Sequence, residues 1–255
     1  MLIVAWAATF AAACLTLLSG FGLATLLLPV FALWYPLAAA VAITAVVHFA
    51  NGLFKLALLG RHARWEVVLR FGLPALAAAA VGAKTLLWLA ELAPLASYAL
   101  LGKTFFIVPV KLAVAAVMAF CAAWESRAQA DEGGGPPSLL LGGFLSGFFG
   151  GLSGHQGAFR SAFLIRLGLP KEAYVATGSA VATLVDIGRL GGYLPLWKSL
   201  GDSVPTSLLA GSIAAAFGGS WLGKRLLAGM TAGGLKRLVA AMLWLFAGGL
   251  GLGFL

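Results

Sequence analysis

The sequence predicts an all-α polytopic membrane protein of two repeats, inverted relative to one another. Each repeat is a Gly-rich broken or re-entrant helix followed by about three spanning helices. Three observations predict it. Hydrophobic residues make up 62% of the chain and charged residues 10%, with a mean hydropathy of +1.01, whereas soluble domains carry about 25% charge. Apolar runs of about 20 residues recur throughout, each able to cross about 30 Å of hydrocarbon. The alternating ten-residue segments of a membrane β-barrel are not visible. Finally, the two halves match at a constant offset of 134 residues.

Eight apolar stretches follow one another at 2–34, 36–59, 66–90, 97–124, 138–168, 171–195, 203–229 and 233–255. The first has no cation ahead of its apolar core (the first in the chain is Lys55), so it reads as a retained segment and not as a secretory leader. Between the fourth and fifth lies "ESRAQADEGGGPPS", the polar Gly/Pro-rich run of the chain, which reads as a linker. The expected organisation is therefore a first transmembrane repeat at 1–124, a linker at 125–137 and a second repeat at 138–255. "LSG" at 18–20 recurs at 152–154, Pro36 maps to Pro170, Ala39 to Ala173, Ala42 to Ala176 and Lys55 to Arg189.

Charge placement sets the expected orientation. The most basic regions are "GRHARWEVVLR" (60–70) and the region from Lys224 and Arg225 to Lys236 and Arg237. Cytoplasmic loops collect Lys and Arg, so an even number of crossings should separate these two regions. Five stretches lie between them, so one should not cross fully. The segment 138–168 is the best candidate, and by repeat symmetry 2–34 would be its counterpart. Six full spans and external termini follow. The net charge of +9 is scattered singly through loops and segment ends, which does not point to nucleic acid. Cys14 and Cys121 lie in apolar stretches and suggest no disulfide framework.

The segment "GGLSGHQGAFRSAFLIR" (150–166) is poor material for a lipid-facing helix. Non-helical chain at membrane depth is tolerated only where protein buries it or water lines it. Glycine lets such chain approach a ligand, and the exposed N–H groups of a half-helix suit an anion. "SGFG" (19–22) and "SGHQG" (153–157) are thus expected to face one another as anion cradles. Candidate substrate-binding residues are Ser19, Gly20, Gly22, Ser153, Gly154, His155, Gln156, Gly157, Arg160 and Ser161, with Arg160 offering a planar fork. Gly142, Gly143, Gly147, Gly150 and Gly151 read as close-packing positions, and Arg166 as a cation snorkelling at a segment end. On the second stretch Thr44, His48, Asn51 and Lys55 share one helical face, and the sixth carries Thr177, Ser179, Asp186 and Arg189. Ionisable groups at depth are functional candidates. His48, Asn51, Lys55, Thr177, Ser179, Asp186 and Arg189 are accordingly expected to serve coupling or gating, with Asp186–Arg189 also readable as a structural ion pair.

These residues resemble a known family, the sulfite exporter TauE/SafE permeases. "LLLGGFLSGFFGGLSGHQGAFRSAFLIRLGLPKEAYVATGSAVATLVDIGRLGGYL" is similar to the family's second-half signature, and "LSGFGLATLLLPVFALWYPLAAAVAITAVVHFANG" to its first-half signature, Pro29 included. "VGAKTLLWL" and "GGSWLGKRLL" resemble its closing Gly-x-x-x-Gly elements. The resemblance covers essentially the whole chain. The glycine triplet that follows "SG" in the family is replaced here by Phe21-Gly22-Leu23 and by His155-Gln156-Gly157.

The resemblance implies an exporter of small anions in the bacterial cytoplasmic membrane: sulfite, thiosulfate, sulfonates or related organic anions. Partners would be the anion and the lipid bilayer, with homo-oligomerisation left open. No cofactor or metal and no enzymatic activity are expected. No Gly-x-x-x-x-Gly-Lys-Ser/Thr motif is present for nucleotide. Anion export gains about 2.3 kcal/mol per charge per 100 mV, so the membrane potential suffices, and a coupled proton or cation is compatible. Two other readings compete with it. "GLSG" (151–154) fits an intramembrane serine protease, but no histidine follows His155 to act as base from a later span. A non-transporting membrane subunit is disfavoured by polar groups repeated in both halves.

Overall fold

The computed structural model describes residues 1–19, 22–127, 138–226 and 232–254. The chain runs α1 (Leu2–Ser19), α2 (Leu23–Ala32), α3 (Leu37–Leu59), α4 (Trp65–Glu91), β1 (Ala96–Leu100), β2 (Lys103–Ile107), α5 (Pro109–Arg127), α6 (Leu139–Ser153), α7 (Gln156–Leu164), α8 (Lys171–Gly192), α9 (Leu194–Leu200), α10 (Thr206–Leu226) and α11 (Ala232–Gly251). Most of the linker expected at 125–137 lies outside the described residues, and α5 continues to Arg127.

One apolar stretch departs from expectation. The run 97–124 is not a single helix: its first third pairs as an antiparallel hairpin, with Leu100 opposite Lys103. Leu101 and Gly102 both take positive φ (50° and 76°), as a tight two-residue hairpin turn requires. Tyr98, Thr104, Phe105, Phe106 and Ile107 favour a pleated strand. Pro109 then opens α5, where its missing N–H costs nothing.

Glycine decides how the helices meet. Along α6, Gly143, Gly147 and Gly151 sit directly against the carbonyl groups of Phe71, Ala75 and Ala79 on α4. Each step is four residues on both helices, so the two backbones run in contact without intervening side chains. On the other side of α4, Gly188 and Gly192 of α8 lie against Leu76 and Ala80. Elsewhere α1 packs along α10, where Gly219 and Gly223 lie on Phe10 and Cys14, while α5 packs along α11 and α3 along α8.

Among the described residues, two helical segments are long and apolar enough to cross a membrane by length and composition, Leu37–His62 and Trp65–Glu91, at 26 and 27 residues. On α4, Trp65 and Trp88 are 58% and 60% exposed. At 1.5 Å per residue they lie about 35 Å apart along the axis, the spacing of aromatic belts across a bilayer. The outer surface carries many further large apolar side chains, Ile3, Leu95, Leu140 and Leu245 among them, while Asn51, Gln156, Asp186 and Arg189 are fully enclosed. An apolar exterior around a core that holds an enclosed polar network is unlike the surface of a soluble fold.

Candidate functional site

The Gly-rich segment is broken where the sequence places its "SGHQG". Helix α6 stops at Ser153, and Gly154 turns left-handed (φ +81°), its N–H donating to the Gly150 carbonyl at 2.9 Å. His155 follows in a non-helical conformation, and α7 restarts at Gln156. Two side chains clamp the junction. The Ser146 hydroxyl donates to the Gln156 carbonyl at 3.1 Å, and the Tyr193 hydroxyl donates to the Gly151 carbonyl. Phe149, Phe159 and Phe120 stack over α7, with ring centroids 4.6 and 5.7 Å apart.

The break on the other half lies next to this one. Gly22 caps α2 in extended conformation, and a Cβ built on it would stand 3.9 Å from the Gly157 Cα and N. Gly20 lies outside the described residues, and of Ser19 the described feature is its place as the last residue of α1.

Asp186 organises the polar interior. Its carboxylate is fully buried and collects donors from three helices. His48 Nδ1 from α3 donates to Oδ2 at 2.6 Å, and Gln156 Nε2 from α7 to Oδ1 at 3.0 Å. Arg189 of α8 donates through Nε at 2.8 Å, with Nη2 also 2.8 Å from Oδ1. The i, i+3 ion pair foreseen from spacing is therefore present within a larger network that ties α3, α7 and α8 together.

Other foreseen residues fall around this network. Arg160 is half-buried, reaches Gln156 Oε1 at 3.5 Å and passes over Gly178 of α8. Lys55 is close enough to Arg160 to interact electrostatically. Asn51 accepts from the Ser220 hydroxyl of α10 at 2.8 Å. The His155 Nδ1 lies 3.1 Å from Ser153 Oγ. Three residues do local structural work instead. Thr177 Oγ1 accepts the Arg64 N–H at 2.9 Å and fixes the loop after α3, the Ser179 carbonyl accepts from Thr183, and the Ser161 hydroxyl donates to the Ala158 carbonyl. Thr44 is buried on α3.

Sequence reasoning passed over Tyr193, Ser146 and Ser220. Tyr193 had a legible signal: residues 186, 189 and 193 fall on one helical face. Ser146 and Ser220 had none, since their partners come from other elements.

The family model of the sulfite exporter TauE/SafE matches residues 5–250. The chain belongs to the TauE/SafE family. It is thus a membrane transporter of the sulfite exporter type, and TauE/SafE proteins are transporters and not enzymes. No curated protein and no solved structure gives a match. In this TauE/SafE chain the Ser153–His155 contact does not form a nucleophile and base. Ser153 Oγ is 2.9 Å from the Phe149 carbonyl oxygen, which can only accept. The hydroxyl hydrogen is therefore committed away from the imidazole, opposite to what a catalytic serine requires.

Proposed function

We propose that this chain exports small anions (sulfite, thiosulfate, sulfonates or related organic anions) across the bacterial cytoplasmic membrane by alternating access. The substrate would sit between the two broken helices, against Gly22, Ser153, Gly154, His155, Gln156, Gly157, Arg160 and Ser161, with Ser19 and Gly20 completing the cradle. The observation that carries this reading is the enclosed polar network converging on the α6–α7 break in an otherwise apolar bundle. An interior ionisable cluster in a membrane protein marks a substrate or ion path.

The inverted arrangement is part of the same proposal. The two interrupted pairs α1–α2 and α6–α7 would be equivalent, as would α3 and α8, α4 and α10, and α5 and α11. The packing of α1 on α10 and of α6 on α4, together with the meeting of Gly22 and Gly157, supports that exchange. Six spans and external termini follow from it. The His48–Asp186 and Asn51–Ser220 contacts bridge α3 to both α8 and α10, so they are assigned to gating, since relative motion of these helices has to break them.

The test is sulfite efflux from proteoliposomes. Arg160→Ala removes a guanidinium whose contact with Gln156 is long. Folded Arg160→Ala should lose transport by at least about tenfold. Unchanged efflux by that variant removes Arg160 from the site.

A further inference from the structure

Two enclosed side chains at the break keep an atom without a partner. Arg189 is spoken for by Asp186 through Nε and Nη2, but its Nη1 has no hydrogen-bond partner. His155 is 1% exposed, and its Nε2 likewise has none. Both flank Gly154. A Cβ placed there would come within 3.4 Å of Arg189 Nη1, and the His155 ring lies within electrostatic range of Arg189. A buried polar atom left unpaired costs about 1–3 kcal/mol, and two such atoms on residues that flank Gly154 call for a shared ligand.

The hydrogen-bond directions say which ligand. Because Ser153 gives its hydroxyl hydrogen to Phe149, the contact with His155 has to be donated by the ring. Nδ1 therefore carries the hydrogen, and in the neutral imidazole Nε2 is a bare acceptor. The site then presents one cationic donor, Nη1, beside one acceptor, Nε2. A fully charged oxyanion satisfies the first and is repelled by the second. It fits once the ring takes a proton, or when the anion itself brings an O–H. Both descriptions contain the same atoms: one anion and one proton.

We propose that Arg189 and His155 form an oxyanion subsite at the helix break, which binds its ligand together with one proton. The inference rests on the transport reading and moves Arg189 from gating to ligand contact. Charge balance points the same way. Asp186 offsets the Arg189 charge next to Gly154, and a proton on His155 would supply positive charge at the ligand itself, nearer than Arg160 on the far side of Gln156. The charged and titratable groups around His155 are Arg189, Asp186 and Tyr193 of α8, His48 and Lys55 of α3, and Arg160 of α7, the last three acting through Asp186, Gln156 and one another. From α2, Ala24 faces Gly154 and contributes no charge.

The test titrates the purified full chain calorimetrically with sodium sulfite, at a pH where free sulfite is fully deprotonated. Two buffers of different ionisation enthalpy report the protons taken up. Wild type should take up about one proton per anion bound. His155→Gln, which cannot hold the proton, should bind within about tenfold of wild type and without uptake, and His155→Asn is read in its place if His155→Gln does not fold. Arg189→Lys, lacking the fork, should weaken binding by at least about tenfold. Wild-type binding without uptake overturns the subsite. So does uptake that survives in His155→Gln, or that vanishes only in His48→Gln. If sulfite, thiosulfate and sulfoacetate all fail to bind or move through folded protein, the transport reading itself falls, and the subsite with it.

Discussion

Asp186 shows how much one buried carboxylate can organise. Alone in an apolar interior its charge would be prohibitive, and it is tolerated because His48, Gln156 and Arg189 saturate both oxygens. The arrangement is asymmetric. Removing the carboxylate leaves the Arg189 cation enclosed without its counter-charge, and breaking such a pair typically costs about 3–5 kcal/mol. Asp186→Asn should therefore lower the melting temperature in detergent far more than His48→Gln, which keeps a hydrogen-bond donor towards Asp186. Equal melting of the two variants would contradict the network's hierarchy. Gly154 poses a different problem. Its φ of +81° costs any L-residue about 1–2 kcal/mol, yet a Cβ would meet only Arg189 Nη1 at 3.4 Å and Ala24 at 3.6 Å. Gly154→Ala should fold, melt modestly lower and lose sulfite efflux.

Among the helices, glycines divide by what lies opposite them. Gly143, Gly147 and Gly151 have α4 carbonyls where a Cβ would go, and backbone cannot yield as a side-chain tip can. Gly147→Ala should force α4 and α6 apart and abolish the monodisperse peak in size-exclusion chromatography. Gly191 of α8 has no neighbour within 4 Å of a built Cβ. Gly191→Ala should leave the peak intact and stabilise α8 by about 0.5–1 kcal/mol through helix propensity. The five packing glycines of the sequence reading are thus mechanical, and Gly154 is separated from them by conformation.

Across the whole molecule, an apolar exterior surrounds an apolar core that encloses a polar network. Trp65 and Trp88 bracket α4, and Arg61 and Arg64 lie beyond its Trp65 end. If the basic loop is cytoplasmic, the hairpin turn at Leu101–Gly102, past the other end of α4, faces outward. In a variant with Cys14 and Cys121 replaced by Ala, a cysteine at Gly102 should react with a membrane-impermeant maleimide in intact cells. A cysteine at Arg61 should react only after permeabilisation. The opposite pattern would invert the proposed topology.

The amino-acid sequence alone determined the membrane class, the approximate place of nearly every helix, the interruption at "SGHQG" and the membership suggested by its signatures. Those features are sums over single residues or short local patterns: hydropathy, helical periodicity, glycine where chain must turn. It could not reveal that 97–107 pairs as a hairpin, because an apolar run is equally compatible with strand and helix until it finds a partner. Nor could it choose among buried cations. Arg160 drew attention by lying within the Gly-rich segment, whereas Arg189 became prominent only through Asp186 and the free Nη1 over Gly154. The His48–Asp186 bond joins positions 138 residues apart. Tertiary structure alone decided which donors share one carboxylate and which atoms are left unpaired. Hydrogen bonds depend on ångström-scale geometry between helices, and that geometry is set by packing contacts absent from any local window.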